Sequence, residues 1–156
     1  MTVLPEVPEE ELLRLDRQIC FSLYAASRAF NGLYRVVLKD LDLTYPQYLV
    51  MLVLWEHGDL PVKEIGERLR LDSGTLSPLI KRLEASGRVR RERSAEDERS
   101  VTVRLTEEGA ALREQALQMP RGILAASGVS LEEIVGLQQL LGRITTALDT
   151  ATAAAG

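Results

Sequence analysis

The chain has 156 residues, 46% of them hydrophobic and 27% charged, with a formal net charge of −4. That is one domain's worth of chain, long enough to bury a core, and its acidic total excludes a global basic field. One Cys and one His exclude an intrachain disulfide and are too few for a Cys/His zinc cage, so no metal or other cofactor is expected. The N-terminus lacks a basic region followed by an apolar core, and no apolar run approaches the roughly 20 residues a membrane span needs. No membrane partner is expected, and the expected location is the cytoplasm.

Met1 to about Pro8 reads as a short tail. A helical seam follows, with Leu12, Leu15, Ile19, Leu23, Ala26, Phe30, Leu33, Val37 and Leu41 recurring every three or four residues. Gly32 is the candidate bend. Thr44 with Gln47 three residues on forms a capping box, and Pro46 is tolerated in a first turn. The run Tyr48–Trp55 is apolar nearly all round, which predicts a central buried helix closed by His57 and Gly58. A short helix is expected over Pro61–Leu69, then a corner at Arg70, Leu71 and Asp72.

The next stretch is capped by Asp72 or Ser73 and closed by Gly87. Leu76, Leu79, Ile80 and Leu83 make its inward stripe; Ser73, Thr75, Ser77, Lys81 and Arg82 lie between them. Pro78 removes one backbone donor. Alone, this is an ordinary amphipathic surface helix. Its neighbours change the reading. Two short helices joined by a tight turn, the second hydroxyl-rich and basic outside, form a helix-turn-helix pattern. After it, Arg88–Arg93 and Ser100–Leu105 alternate apolar and polar around the polar turn Ser94–Arg99, a two-stranded hairpin. Helix-turn-helix plus basic hairpin is a winged helix. From Lys81 to Arg104 there are eight basic and five acidic residues, a net of +3 inside an acidic chain, which points to a polyanion partner. Thr106, Glu107 and Glu108 start a helix to about Met119, bent or broken by Pro120. A last helix carries Leu131, Ile134, Leu137, Leu141, Ile144 and Leu148.

The expected architecture is mainly α: one domain, 1–156, with a winged helix-turn-helix lobe over 44–105 and helical dimerisation regions over 9–41 and 106–154. The terminal seams can pack on each other in one monomer or pair two copies. A homodimer is preferred, because two-fold proteins read two half-sites about 34 Å apart on double-stranded DNA.

The arrangement resembles the MarR family of bacterial transcription regulators from about Leu12 to Leu148. Asp97-Glu98-Arg99 followed by Leu105-Thr106 matches that family's wing signature. Gln18-Ile19-Cys20-Phe21, Leu43-Thr44-Tyr45-Pro46-Gln47-Tyr48 and Leu71-Asp72-Ser73-Gly74-Thr75-Leu76 resemble its organic hydroperoxide resistance regulators, the OhrR group. That resemblance implies a repressor, not an enzyme, whose Cys20 senses organic hydroperoxides and whose oxidation releases a pseudo-palindromic operator. It implies DNA contacts from Ser73, Thr75, Ser77, Lys81 and Arg82, a minor-groove contact from Arg99, and an orienting salt bridge from Asp97. Pro61 stands where relatives often carry Ser or Thr. No second Cys is present, so the chain resembles the one-cysteine type; the expected next step after oxidation is a mixed disulfide with a small thiol as partner, a cyclic sulfenamide, or overoxidation.

An isolated Cys is usually a small buried hydrophobe. Tyr24 lies four residues on, on the same helix face, where its hydroxyl can donate to a thiolate. Tyr34 is a second donor by resemblance, but lies roughly 21 Å further along a straight helix, so a partner helix would have to deliver it. Tyr45 joins when the site rearranges, and Phe21 lines an apolar pocket; ordinary packing also accounts for the tyrosines. Two other readings stay open: a small-ligand-responsive regulator with a structural Cys20, and a thiol peroxidase.

Overall fold

The computed structural model describes residues 7–156. The expected tail falls mostly on residues outside that range. The chain divides into two compact units, Met1–Gln115 and Ala116–Gly156.

In the first unit the N-terminal seam is not one helix. It is a single turn α1 (Glu9–Leu12), a 3-10 turn (Leu15–Arg17), the long α2 (Ile19–Val37) and a second 3-10 turn (Leu38–Leu41). Gly32 does not bend it: it sits inside α2 with nothing within 4 Å of a Cβ position. The break is at Gln18, whose backbone is extended and whose side-chain amide donates to the carbonyls of Leu12 (2.7 Å) and Arg14 (3.0 Å). A side chain that satisfies carbonyls at a helix end stabilises the interruption. At the other end Leu38 and Leu41 leave the seam and enter the core, and Asp42 turns the chain at φ 51°.

α3 (Tyr45–His57) starts on the capping box, with Gln47 N–H donating to Thr44 Oγ1 and Thr44 N–H to Gln47 Oε1. It buries Tyr48, Val50, Met51, Val53 and Leu54 and is the central helix, as its all-round apolarity predicts. Leu60–Pro61 is a short strand, β1, where the sequence pattern predicts the start of the following helix. Proline lacks the N–H for a central strand but fits an edge one, and Pro61 here doubles as the residue before α4 (Val62–Leu69). α4 meets α5 (Ser73–Ala85) through a corner in which Leu71 N–H donates to the Gly66 carbonyl at 2.9 Å. A Cβ on Gly66 would lie 2.8 Å from the Leu71 carbonyl oxygen, so the corner needs glycine there.

The wing is β2 (Val89–Arg93) antiparallel to β3 (Val101–Leu105), in register from Val89↔Leu105 to Arg93↔Val101. β1 pairs on the far edge of β3, Leu60 opposite Val103, giving the order β1-β3-β2. Ile65, Leu76, Ile80, Leu83, Val89 and Val103 are almost fully buried and join helices to sheet. α6 (Glu107–Ala116) begins at Thr106, whose hydroxyl donates to the Gly87 carbonyl (2.6 Å), sits 3.1 Å from that of Arg88, and accepts from Gly109 N–H (3.0 Å).

The second unit holds α7 (Met119–Ser127) and α8 (Leu131–Ala155). Pro120 does not break a helix. The preceding helix has already stopped at Ala116, and Pro120 lies in the first turn of α7, where its missing donor costs nothing. Gly128 closes α7 at φ 73°, and Ser130 with Glu133 forms a second capping box at the start of α8. No residue of α8 or of α2 is buried.

Candidate nucleic-acid interface and redox site

α5 is positioned from both ends. Asp72 Oδ1 accepts from Thr75 N–H at 2.8 Å, and these backbone donors hold the Asp72 carboxyl below its ordinary range. Gly87, at φ 77°, turns the chain into the wing. Pro78 sits inside the helix without ending it. At 3.6 residues per turn, the line opposite the buried stripe runs through Gly74, Pro78, Lys81 and Ala85, none of them buried. Thr75 and Arg82 flank that line on one side; Ser77 and Glu84 flank it on the other. Of the residues the sequence singles out, Ser73, Thr75, Lys81 and Arg82 are exposed. Ser77 lies on the rim of the cleft beside the wing. Gly74 and Pro78 are not among the residues singled out by charge or hydroxyl content. Their signal is of another kind: two residues with little side chain on the outermost line let the helix backbone approach a surface closely.

The wing root is tied to α5. Arg91 N–H donates to Glu84 Oε2 (2.7 Å), and its guanidinium donates to Oε1 through Nε (3.0 Å) and Nη2 (2.8 Å). These bonds hold the Glu84 carboxyl below its ordinary range. Arg104 pairs with Glu92 (2.7 Å) and Asp59 (3.3 Å), and Arg88 reaches inward to the Leu41 carbonyl (3.2 Å). Three of the basic residues are therefore structural, while Arg90 and Arg93 stay exposed on the strand. At the tip, Ser94 Oγ accepts from the N–H groups of Glu96 and Asp97, and Asp97 Oδ1 accepts from Arg99 N–H at 3.0 Å. The expected Asp97–Arg99 salt bridge is thus replaced by a bond to the Arg99 backbone. A carboxylate two residues before an N–H closes a local turn, so Asp97 shapes the loop, and among the described residues the Arg99 guanidinium has no carboxylate partner.

Cys20 is exposed, in the first turn of α2, where backbone N–H groups lack helical partners. Among the described residues its thiol has no hydrogen-bond partner. Tyr24 is on its face of the helix, but the Tyr24 hydroxyl accepts from Arg28 Nη1 at 2.9 Å, and the guanidinium carbon lies 5.6 Å from the ring centre. Its partner is four residues on, away from Cys20. Phe21 and Tyr24 pack 6.5 Å apart, both exposed. Tyr34 shares α2 with Cys20, with no break between them. It stacks on Tyr45 (4.5 Å) and Tyr48 (5.7 Å), and Tyr48 meets Trp55 edge-on (6.3 Å). Trp55 Nε1–H closes the row on the Gly109 carbonyl at 2.9 Å. Burial, reinforced by the neighbouring phenols, pushes the Tyr34 hydroxyl up to about 12; burial also raises Tyr45 and Tyr48. The single chain therefore brings Tyr34 and Tyr45 together and leaves them apart from Cys20. His57 sits at the end of α3 with Arg68 (3.2 Å) and Glu56 (3.5 Å).

A helix-turn-helix whose second helix exposes Lys81 and Arg82, with a hairpin wing locked to it, defines a winged-helix DNA-binding protein. Residues 32–115 match the family model "Transcriptional regulator SarA/Rot". The chain is 50% identical over 138 residues to the organic hydroperoxide resistance transcriptional regulator of Bacillus subtilis, covering 88% of this chain and 92% of that one. It is 36% identical to AbfR of Staphylococcus epidermidis, whose reduced, DNA-bound structure superposes with TM-score 0.78 over 92% of this chain and 98% of that one. An overoxidized AbfR bound to DNA superposes with TM-score 0.74, over 90% and 99%. The chain belongs to the MarR/SarA-type transcription regulators, in their organic hydroperoxide resistance group. Among the described residues, no helix is long and apolar enough to cross a membrane.

Proposed function

We propose that the chain acts in the cytoplasm as a homodimeric repressor that binds a pseudo-palindromic operator and is released when an organic hydroperoxide oxidises Cys20. The observation that carries this is the setting of Cys20: an exposed thiol in a first helical turn, ringed by uncovered Ile19, Phe21, Leu23 and Tyr24. An apolar surround favours an alkyl peroxide over hydrogen peroxide. Likeness to a hydroperoxide resistance regulator supports the same reading. Among the described residues, α2 and α8 each carry exposed apolar side chains, and a second copy is the cover this reading gives them. Tyr34 is then offered to the partner's sensor as a protonated phenol, a hydrogen-bond donor.

In the reaction the thiolate sulfur attacks the outer peroxide oxygen, the O–O bond breaks, and the alcohol leaves after taking a proton. The sulfenic acid has no second Cys in its own chain to condense with; in this reading it condenses with a small thiol, giving a mixed disulfide and water. AbfR has been captured overoxidized and still on DNA. Bulk rather than added charge is therefore the releasing change we favour: a packed seam has discrete arrangements, so a bulky adduct shifts both lobes together. The experiment is operator binding before and after cumene hydroperoxide, with mass spectrometry of Cys20. A Cys20→Ser protein that still releases DNA on oxidation sinks the assignment. A cleft of about 510 Å³ lined by Ser27, Asn31, Arg35 and Tyr45 favours the second reading, a ligand-responsive regulator. That reading requires release by a small acid that Cys20→Ser leaves untouched.

A further inference from the structure

Resting on the DNA-binding reading, we propose that the cleft between α5 and the wing seats one DNA backbone phosphate, and that Lys63 of α4 binds DNA by completing that seat. The cleft holds about 250 Å³. Its rim carries Lys63, Ser77, Arg91, Arg99 and Ser100, and among the described residues no carboxylate lines it. Val62, Ile80 and Val101 form an aliphatic floor. Every polar side chain lining it is a hydrogen-bond donor or a hydroxyl that can donate, which suits an anion. Arg91 is already neutralised by Glu84, so Lys63 and Arg99 supply the free positive charge. The carboxylate near Lys63 is Glu67, 4.0 Å away, with both side chains mostly exposed. Such a pair is worth little in water and is readily exchanged for a phosphate.

Geometry says which anion. A recognition helix in the major groove and an adjacent hairpin tip in the minor groove lie on either side of one sugar–phosphate strand. That strand has to cross the space between α5 and the wing, which is this cleft. Phosphate contacts fix register without reading sequence. Lys63 is therefore a positioning residue, brought to the same strand as Arg99 from a different element.

The test is a salt titration of duplex binding by the full chain, with a duplex selected from random sequence by the wild-type protein. Lys63→Gln is expected to weaken binding about tenfold on the selected and on an unrelated duplex. It is also expected to lower the slope of log K against log salt by about 0.9 for each phosphate that Lys63 neutralises in the wild type. Lys63→Arg keeps the charge and is expected to keep the slope. Phosphates are then replaced one at a time by neutral methylphosphonates. At one position per half-site the wild type is expected to fall to the level of Lys63→Gln, and Lys63→Gln to weaken no further. An unchanged slope in Lys63→Gln, or a penalty that persists at every methylphosphonate position, overturns the proposal while leaving DNA binding intact. A wild-type chain that selects and binds no duplex overturns the DNA-binding reading and this proposal with it.

Discussion

Tyr34 shows how much one residue's meaning depends on what it touches. Its phenol stands at about 12 in the folded chain, against about 10 for the unperturbed group. The folded state therefore holds the proton more tightly than the unfolded one. That contribution is complete below about pH 10 and is lost as pH rises through the folded value. Urea unfolding at pH 8 and about pH 11.5, between the two values, should show a smaller alkaline loss in Tyr34→Phe than in the wild type; parallel losses would place the alkaline sensitivity elsewhere. Arg99 sits in a loop shaped by Asp97, with its own guanidinium free of carboxylates among the described residues. Arg99→Ala should weaken operator binding and lower the salt slope by about one ion per neutralised phosphate, and unchanged affinity and slope would remove Arg99 from the interface. The presence of the Cys20 thiol and the charge of Arg99 were readable in the sequence, since each is a property of one side chain. The role of Asp97 was not: a carboxylate two residues from an arginine can reach either its guanidinium or its backbone, and only the loop conformation chooses.

At the scale of elements, the wing is tied to α5 because Glu84 grips Arg91 at backbone and side chain together. The lowered Glu84 carboxyl carries a sign: its stabilisation is present above the ordinary carboxylate range and fades as pH falls through the depressed value. Glu84→Gln should speed hydrogen exchange at the Arg91 amide and weaken DNA binding; exchange as slow as in the wild type would show that the grip is not what couples the two elements. The base of the wing is also held through Gly109. A Cβ there would lie 1.9 Å from the Arg88 carbonyl oxygen. Gly109→Ala should therefore cost on the order of 3 kcal/mol in urea unfolding, and a near-neutral change would mean the wing root yields. The capping box at Thr44, the buried helix and the hairpin were legible because their signals are local. The break at Gln18 and the strand Leu60–Pro61 were not. One depends on a side chain reaching back to two carbonyls, the other on a partner strand far along the chain, at Thr102 and Val103.

For the whole molecule, the apolar residues left exposed are the informative ones. Ile19, Leu23 and Phe30 on α2, and Leu131, Leu137 and Leu148 on α8, are exposed in the single chain. Burying apolar surface of this kind is worth about 25 cal/mol per Å², so a second copy has much to gain. Sedimentation at micromolar concentration should give a dimer, and Ile19→Asp or Leu137→Asp should shift it toward monomer and weaken operator binding in step. A monomer in the wild type would leave these faces needing another partner and would remove the two-subunit sensor with it.

The sequence by itself determined the winged helix, the apolar seams at both ends and the lone thiol. Periodicity, caps and composition are short-range properties that need no fold to be read. Only the tertiary structure decided which arginines are free and which are held, because Glu84, Glu92, Asp59 and the Leu41 carbonyl reach them from other parts of the chain. It also placed Lys63, Ser77 and Arg99 around one cleft. Charge is written in the chain, but whether that charge is available to a partner is settled by what folds up beside it.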